Sequence, residues 1–220
     1  MTQAMQPPPE TLAAMQAIRP VSSAQVDRLR LYAEQLLLWQ RKTNLVAPST
    51  LDAVWQRHFL DSWQVLPALP EGDLRPIVDL GSGGGFPGLI IALAGAGPVH
   101  LIESNRRKAS FLQSVAAQMG VAVTVHASRI EDPTLRKLAP AAAITARACA
   151  GLSQLLQWAH PLVDHSSKLV FLKGQSWRSE VADAERQWSF VWTAQSSVTE
   201  PDAAILTVSQ PEPRCAHARP

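Results

Sequence analysis

The glycine-rich segment 78–87, with the sequence VDLGSGGGFP, is the feature that most constrains how this chain can fold. Ile77, Val78 and Leu80 predict a short buried strand, and the glycines that follow predict a tight loop. Pro87 suits the first turn of a helix because its φ is already helical and the missing N–H needs no partner there. A strand, a glycine loop and a helix predict the first unit of an open parallel sheet, which binds ligands at the carboxyl ends of its strands.

Two classes of cofactor use a loop of this kind. Gly83, Gly85 and Gly88 match the G-x-G-x-x-G pattern of dinucleotide-binding proteins. In that fold, however, the first glycine closes the strand, and here Gly81 already does so. Asp79 stands two places before Gly81, and a carboxylate suits the sulfonium and amino groups of S-adenosylmethionine better than a pyrophosphate. The sequence therefore favours an S-adenosylmethionine site, with a NAD-binding oxidoreductase as the alternative.

The chain beyond this loop keeps alternating between strand and helix patterns. Residues 99–102 form an apolar run that ends in Glu103, an acid placed to accept hydrogen bonds from ribose hydroxyls. Further strands are predicted at 121–126, 141–145 and 168–172 and near 190–192 and 204–208, and helices at 88–94, 104–119, 152–160 and 180–187. The alternation predicts an α/β fold of the Rossmann-like class I S-adenosylmethionine methyltransferase type, with a mixed, mostly parallel sheet flanked by helices.

The same patterns divide the chain into four regions. Residues 1–20, which begin with a polar and proline-rich stretch, are expected to be disordered. Residues 21–70 are expected to form an N-terminal helical extension, in which Ser22 or Ser23 caps one helix and Pro48 begins another. The methyltransferase domain is expected over 71–209, and 210–220, with three prolines, is expected to be a loose tail.

Composition and spacing argue against several kinds of protein. Two cysteines, Cys149 and Cys215, are too few for a disulfide framework and indicate a reducing compartment. Metal-ligand spacing is absent around them and around His58, which is expected to be an ordinary buried histidine. The sequence has no run approaching about eighteen apolar residues and no signal-peptide pattern. We therefore expect a cytoplasmic protein that uses neither a metal nor a membrane.

Six segments resemble the motifs of a known family, in the family's order. They are Trp39 with Asn44 and Leu45, RHFLDS at 57–62, DLGSGGGFPG at 79–88, SRIE at 128–131, TARA at 145–148 and FLKG at 171–174. The family is the bacterial ribosomal RNA small subunit methyltransferase G family, also called glucose-inhibited division protein B. Many methyltransferases share the glycine motif, whereas the ordered set, and R-H-x-L-D-S above all, is specific.

This resemblance implies an activity and a set of site residues. The activity is methyl transfer from S-adenosylmethionine to N7 of guanine 527 in 16S ribosomal RNA, either free or in an assembly state of the small subunit. Matching the motifs position by position implies cofactor contacts at Gly81, Phe86, Ile130, Glu131 and Arg147. The loop and strand pattern adds Asp79, Gly83 and Glu103 to this cofactor set. We expect a monomer.

Transfer to guanine N7 needs alignment more than proton transfer, because N7 has no proton to lose. Arg129, Arg147 and Lys173 are predicted near the carboxyl edge and are our candidates for contact with the guanine or with phosphate. Two departures from the family pattern are present: many members have Gly-Pro-Gly at 83–85 and an acid at the position of Ala142. The same fold also serves methyltransferases that act on small molecules or proteins, and a non-catalytic RNA module that binds S-adenosylmethionine is a third alternative.

Overall fold

Strand β1 (Ile77–Leu80), which leads into the glycine loop, is an inner strand of a seven-stranded sheet. The computed structural model describes residues 6–214. The other strands are β2 (Val99–Ile102), β3 (Val123–His126), β4 (Ala143–Arg147), β5 (Lys168–Lys173), β6 (Trp188–Ser196) and β7 (Ala204–Pro213). Their order is β3-β2-β1-β4-β5-β7-β6, with β1 to β5 parallel and β7 antiparallel to both neighbours. The predicted mixed, mostly parallel sheet is confirmed.

Helices cover both faces of this sheet. They are α1 (Pro9–Ile18), α2 (Ser23–Gln40), α3 (Asp61–Trp63), α4 (Gly88–Leu93), α5 (Arg106–Met119), α6 (Leu152–Ala159) and α7 (Trp177–Glu185). One face packs against α2, α4 and α5, and the other packs against α6 and α7. All four residues of β1 are buried, as expected for a strand that has helices on both sides. No helix within 6–214 is both long and apolar enough to cross a membrane.

The strand order reverses between β1 and β4, and this is the point that positions the site. Leu80 pairs in register with Ala146, so the glycine loop after β1 and the residue at the end of β4, Arg147, emerge side by side. Open α/β sheets bind ligands in the crevice that such a reversal creates. The topology therefore brings together two segments that are more than sixty residues apart in the sequence.

Several element boundaries differ from the predicted ones for local reasons. The Asn105 side chain accepts hydrogen bonds from the N–H groups of Arg107 and Lys108, so α5 begins at 106 rather than 104. Gly120 ends α5 with a left-handed φ of 64°, and the N–H of Val121 bonds back to the helix. Because Val121 belongs to this cap, β3 begins at 123 rather than 121.

The predicted disorder of residues 1–20 is wrong for the part of this segment that the structure describes. Residues 9–18, expected to be disordered, form α1, whose Met15 is fully buried against the extension. The indole N–H of Trp63 donates to the carbonyl of Arg19 at 3.2 Å and ties the end of α1 down. The apolar residues of α1 stabilise it by packing, which outweighs the prolines before it. Residues 1–5 lie outside the described residues.

The rest of the helical extension agrees in part with the prediction. Ser22 caps α2 in a capping box with Gln25, as the sequence indicated. The second helix is instead a 3-10 turn (Pro48–Ala53), then a π-helical turn (Trp55–Leu60), then α3. Widened turns of this kind occur often at functional sites.

The expected loose tail is also wrong in its first residues. Strand β7 continues through 210–213 because β6 offers it a partner, with Ser189 opposite Glu212 and Trp188 opposite Pro213. The backbone N–H of Arg214 then donates to the carbonyl of Gln187 at 2.8 Å. Residues 215–220 lie outside the described residues.

Truncation of Met15 tests whether α1 is docked in solution. Met15→Ala would leave a cavity beneath α1, so we expect the free energy of unfolding to fall by about 2–5 kcal/mol in urea denaturation. Glu10→Ala, on the exposed side of the same helix, is the control and should cost less than about 1 kcal/mol. Equally small losses for both variants would contradict a packed α1.

Candidate functional site

A cavity of about 860 Å³ lies at the carboxyl edge of the sheet, where β1 and β4 end. The parts of the chain that surround it are the glycine loop, the ends of β4 and β5 with the residues that follow them, the helical extension and the hairpin loop 197–203 between β6 and β7. Its lining includes six of the residues predicted from the sequence, namely Gly81, Gly83, Phe86, Glu103, Arg147 and Lys173. The cavity therefore gathers most of the predicted site residues at the strand reversal.

The glycine loop is packed by protein on one side and faces free space on the other. Gly81, Gly83 and Gly85 have φ values of 64°, 56° and 94°, which residues other than glycine rarely adopt. A Cβ on Gly81 would overlap the thiol of Cys149, and one on Gly85 would overlap the hydroxyl of Tyr32. A Cβ on Gly83 would meet nothing nearer than the Gly81 carbonyl at 3.7 Å. The free side of the loop is therefore at Gly83.

Three amide donors of this loop are used within the protein. The N–H of Ser82 donates to the carbonyl of Ile102, and that of Gly85 donates to the carbonyl of Ser82. The N–H of Gly83 donates to Glu103 at 2.8 Å. A pyrophosphate needs free amide donors at such a loop. These three amides are not free to bind a pyrophosphate, and the carboxylate of Glu103 lies beside them, which argues against the NAD alternative.

Glu103 presents a fixed pair of acceptors beside the loop. Its Oε2 accepts from the N–H of Gly83, and its Oε1 accepts from the N–H of Asn105 at 2.7 Å. Each carboxylate oxygen has two lone-pair directions, so both oxygens can accept one more hydrogen bond. The side chain lines the cavity although it is 8% exposed. This arrangement suits a pair of neighbouring hydroxyls such as those of a ribose.

Asp79 lies behind the loop and not in the cavity lining. It is fully buried, and its Oδ1 accepts a hydrogen bond from the Thr145 hydroxyl at 2.7 Å. Burial raises the pKa of Asp79 to about 6, and the hydrogen bond from Thr145 offsets only part of this effect. A Cβ on Gly88 would lie 2.8 Å from its Oδ2, so Gly88 serves close packing on this carboxyl group. Asp79 is thus placed to support the loop.

Arg147, at the end of β4, is held by the helical extension. Its Nη1 donates to the carbonyl of Arg57 and to Asp61, each at 3.1 Å. Its Nη2 lies 2.9 Å from Nδ1 of His58, and its guanidinium carbon lies 4.8 Å from the centroid of the Phe86 ring. The side chain is 16% exposed. The extension therefore sets where this cation sits in the cavity.

Lys173, at the end of β5, is also tied to protein groups. Its Nζ contacts Glu180 at 2.5 Å and the carbonyl of Ala150 at 2.7 Å. Glu180 accepts in addition from the N–H of Leu152, the first residue of α6. Of the three Lys173 donors, one has no partner among residues 6–214. The charge of Lys173 is thus largely balanced by Glu180.

The structure does not bring every predicted residue into the cavity. Arg129 and Glu131 are exposed and Ile130 is half-buried on the segment after β3, and none of the three belongs to the cavity lining. Ala142 is buried just before β4, where its N–H donates to the Pro76 carbonyl at 2.8 Å. The site therefore has no acid at that position.

A polar network that the sequence did not indicate joins the extension to the hairpin loop. Asp61 Oδ1 accepts from the Thr199 hydroxyl at 2.8 Å and from the Gln64 amide at 2.9 Å. Gln64 in turn accepts from the N–H of Val198. Arg57 and Glu200 form an ion pair across the same gap. Asp61 belongs to the RHFLDS motif and could have been found from the sequence, whereas no sequence pattern pointed to Gln64 or to the hairpin residues.

Comparison with known proteins identifies the family. A sequence model described as rRNA small subunit methyltransferase G matches residues 25–206. The Ribosomal RNA small subunit methyltransferase G of Rhodospirillum centenum is 45% identical over 199 residues, which are 90% of each chain. The protein of that name from Paramagnetospirillum magneticum is 43% identical over 188 residues, 84% of this chain and 89% of the relative. The chain belongs to this methyltransferase family.

Solved structures agree on the fold. A mutant of MtNAS in complex with S-adenosylmethionine has a TM-score of 0.57 at 14% identity, over 92% of this chain and 80% of that chain. An rRNA methylase from Streptococcus thermophilus has a TM-score of 0.50 at 12% identity, over 66% of this chain and 91% of that chain. Family membership makes the protein an rRNA methyltransferase, and its cofactor is S-adenosylmethionine.

The residues around the glycine loop fit this cofactor. The open side of Gly83 gives the ligand room, and the two oxygens of Glu103 match the hydroxyls of its ribose. Carboxylates near the loop agree with the positive charge of a sulfonium. Residues 6–214 contain no group of three or more His, Cys, Asp or Glu side chains that could hold a metal ion.

A matched pair of glycine variants tests the loop assignment. Gly83 and Gly120 both have a left-handed φ and free space for a Cβ, but only Gly83 lines the cavity. Alanine at either position should cost a similar backbone strain of about 1–2 kcal/mol. We expect calorimetry with adenosylhomocysteine to show at least about a tenfold loss of affinity for Gly83→Ala only, equal to ~1.4 kcal/mol. Equal affinities in the two variants would contradict the assignment.

Proposed function

We propose that this enzyme transfers the methyl group of S-adenosylmethionine to N7 of guanine 527 in 16S ribosomal RNA. The observation that carries the proposal is the position of Arg147, between the glycine loop and the half of the cavity bounded by the hairpin loop. The name of the relatives supports ribosomal RNA of the small subunit as the substrate. The choice of guanine N7 rests on the ordered motifs that resemble the family.

Alignment is the main task of the chain in this reaction. Guanine N7 carries an exposed lone pair and no proton, so a general base is not required. When bound, S-adenosylmethionine supplies an electrophilic methyl group on a sulfonium. Holding the acceptor in line with it can contribute roughly 7–11 kcal/mol in favourable cases. Two of the cations that line the cavity, Arg147 and Lys173, are fixed by protein partners, which suits orientation of a base rather than transfer of a proton.

The residues divide between the two halves of the cavity. On the cofactor side, Gly81, Gly83 and Phe86 border the ligand, and Glu103 accepts from its ribose. Asp79 acts from behind the loop by fixing its conformation. Ile130 and Glu131 remain candidates for the adenine end of the cofactor, and Arg129 for a phosphate.

On the acceptor side, Arg147 and Lys173 contact the guanine or its phosphate. A guanine must leave its base stack to enter such a cavity, which favours a flexible RNA segment over a regular duplex. The extension and the hairpin loop 197–203 form the wall against which the base is held. We propose that the enzyme acts as a cytoplasmic monomer on free 16S ribosomal RNA or on an assembly state of the small subunit.

Basic residues next to the cavity are proposed to hold the RNA backbone. Arg106, Arg107 and Lys108 open α5, and Lys108 lines the cavity. Arg41 and Lys42 follow α2, one residue before the segment 44–47, which also lines the cavity. Four of these five side chains are exposed, so they are free to contact phosphates.

Arg147→Lys tests the site assignment. An ammonium group cannot contact Asp61, His58 and the Arg57 carbonyl together, because it lacks the planar fork of a guanidinium. We expect single-turnover methyl transfer to 16S ribosomal RNA to fall about 100-fold, as a misplaced group can cause. Affinity for adenosylhomocysteine and the thermal midpoint should stay near those of the wild type.

Arg136→Lys, exposed and outside the cavity lining, is the matched control and should keep the wild-type rate. Mass spectrometry of the digested RNA should place the wild-type methyl group on guanine N7. Methylation of another atom, or of no RNA at all, would contradict the proposed function. A normal rate in Arg147→Lys with a loss in Arg129→Lys would move the acceptor contact to Arg129.

The salt dependence of RNA binding tests the proposed phosphate contacts. Each phosphate neutralised on a single strand contributes about 0.7 to the slope of log affinity against log salt concentration. Replacing Arg106, Arg107 and Lys108 together by alanine should therefore flatten the slope by up to about 2. Arg136 and Lys137, exposed but remote from the cavity lining, are the control pair. Identical slopes in both variants would assign the first cluster to ordinary solvation.

A further inference from the structure

His58 joins the site although its position in the sequence indicated an ordinary core histidine. It lies in the π-helical turn Trp55–Leu60 and is 6% exposed, yet it lines the cavity. Its ring stacks on Phe86 with centroids 4.9 Å apart and planes 21° apart. Its Nδ1 lies 2.9 Å from Nη2 of Arg147. The imidazole thus touches both the loop aromatic and the cation of the site.

The hydrogen bonds around His58 allow one arrangement of protons. A guanidinium only donates, so Nδ1 of His58 must accept from Arg147 and carries no proton. The ring proton is then on Nε2, which lies 2.8 Å from the Thr50 hydroxyl. That hydroxyl accepts from Nε2 and donates to the carbonyl of Ala47 at 2.7 Å. Donors and acceptors therefore match at every step from Arg147 to the backbone.

The charged groups around the ring agree with this arrangement. Burial lowers the pKa of His58 to about 3, and the positive charges of Arg147 and Arg57 add to the effect. The carboxylate of Asp61, one turn further on, is engaged by Arg147, Thr199 and Gln64. A protonated imidazole would have no acceptor to offer Arg147 and would repel it.

These partners leave Arg147 with a defined set of free donors. Its Nη1 uses both protons on Asp61 and the Arg57 carbonyl, and its Nη2 uses one on His58. Among residues 6–214, Nε–H and the second proton of Nη2 have no partner. The guanidinium is therefore fixed on three donors and can offer two to a ligand in the cavity.

We propose that His58 is a positioning residue for the methyl transfer: in its Nε2–H tautomer, set by Thr50, it orients the guanidinium of Arg147 toward the acceptor base. The inference rests on the role of Arg147 in the proposed function. The position of His58 needs an uncharged hydrogen-bond acceptor. A second carboxylate there, beside Asp61, would draw Arg147 away from the guanine that receives the methyl group.

Nitrogen-15 NMR of histidine-labelled enzyme measures the tautomer directly. The chain has six histidines, so the His58 signals are assigned by their absence in His58→Asn. We expect an unprotonated Nδ1 and a protonated Nε2 at pH 7, with no change down to pH 5. A protonated Nδ1, or a titration near the usual histidine value of about 6.5, would overturn the proposal.

Two substitutions separate positioning from packing. His58→Phe keeps a ring on Phe86 but removes the acceptor, and His58→Asn restores an acceptor oxygen close to the place of Nδ1. Loss of a hydrogen bond to a charged group predicts at least about a tenfold fall in single-turnover rate for His58→Phe. Its affinity for adenosylhomocysteine should change less than about twofold, which equals ~0.4 kcal/mol. His58→Asn should recover most of the rate, and an asparagine variant no faster than the phenylalanine variant would overturn the proposal.

The Arg147→Lys background shows whether His58 acts through Arg147. His58→Phe should add no further loss of rate there, whereas an independent role would add its full effect and overturn the inference. The two failures are distinguishable. If the wild-type enzyme methylates no guanine N7, the proposed function is contradicted. The NMR measurement of the His58 tautomer then still tests the hydrogen bonds proposed around His58. Wild-type enzyme that is active at N7 but unaffected by His58→Phe contradicts the present inference alone.

Discussion

The hydrogen-bonded contact between Arg147 and the helical extension is the interaction on which the site depends. It joins the end of β4 to Asp61 and His58, which come from a segment about ninety residues earlier. A guanidinium that is largely removed from water is costly unless protein groups accept from it, so the extension stabilises the cation and fixes its direction at the same time. The extension is therefore part of the site and not only an addition to the sheet.

Around the glycine loop a different principle applies, in which three of the loop amides donate to groups of the protein. Gly83 donates to Glu103, and Ser82 and Gly85 donate to nearby carbonyls, so these three amides are engaged, and the loop presents free space at Gly83 beside the carboxylate oxygens of Glu103. The engaged amides and the nearby carboxylate favour a cationic cofactor over a pyrophosphate. The glycine spacing alone did not make that distinction, since three of the glycines also match the dinucleotide pattern.

Much of the fold was predictable because local patterns and topology agreed. The strand before the loop, Glu103 at the end of β2 and the alternation of strands and helices all follow from apolar runs and turn residues. Helix α1 and the last residues of β7 were mispredicted because each is stabilised by a distant partner. Met15 packs against the extension, and residues 210–213 pair with β6. The prolines near both ends predicted disordered segments, but packing and strand pairing outweighed this tendency.

The sequence by itself determined the family, the parallel sheet, the glycine loop and the acid that follows β2, since these depend on short segments with their own physical signature. Only the tertiary structure decided that Asp79 supports the loop from behind, that Arg129, Ile130 and Glu131 lie outside the cavity lining, and that His58 accepts from Arg147. The reason is physical. The direction of a side chain and the partner of a buried donor depend on which elements meet in space, and that information is not contained in the spacing of residues along the chain.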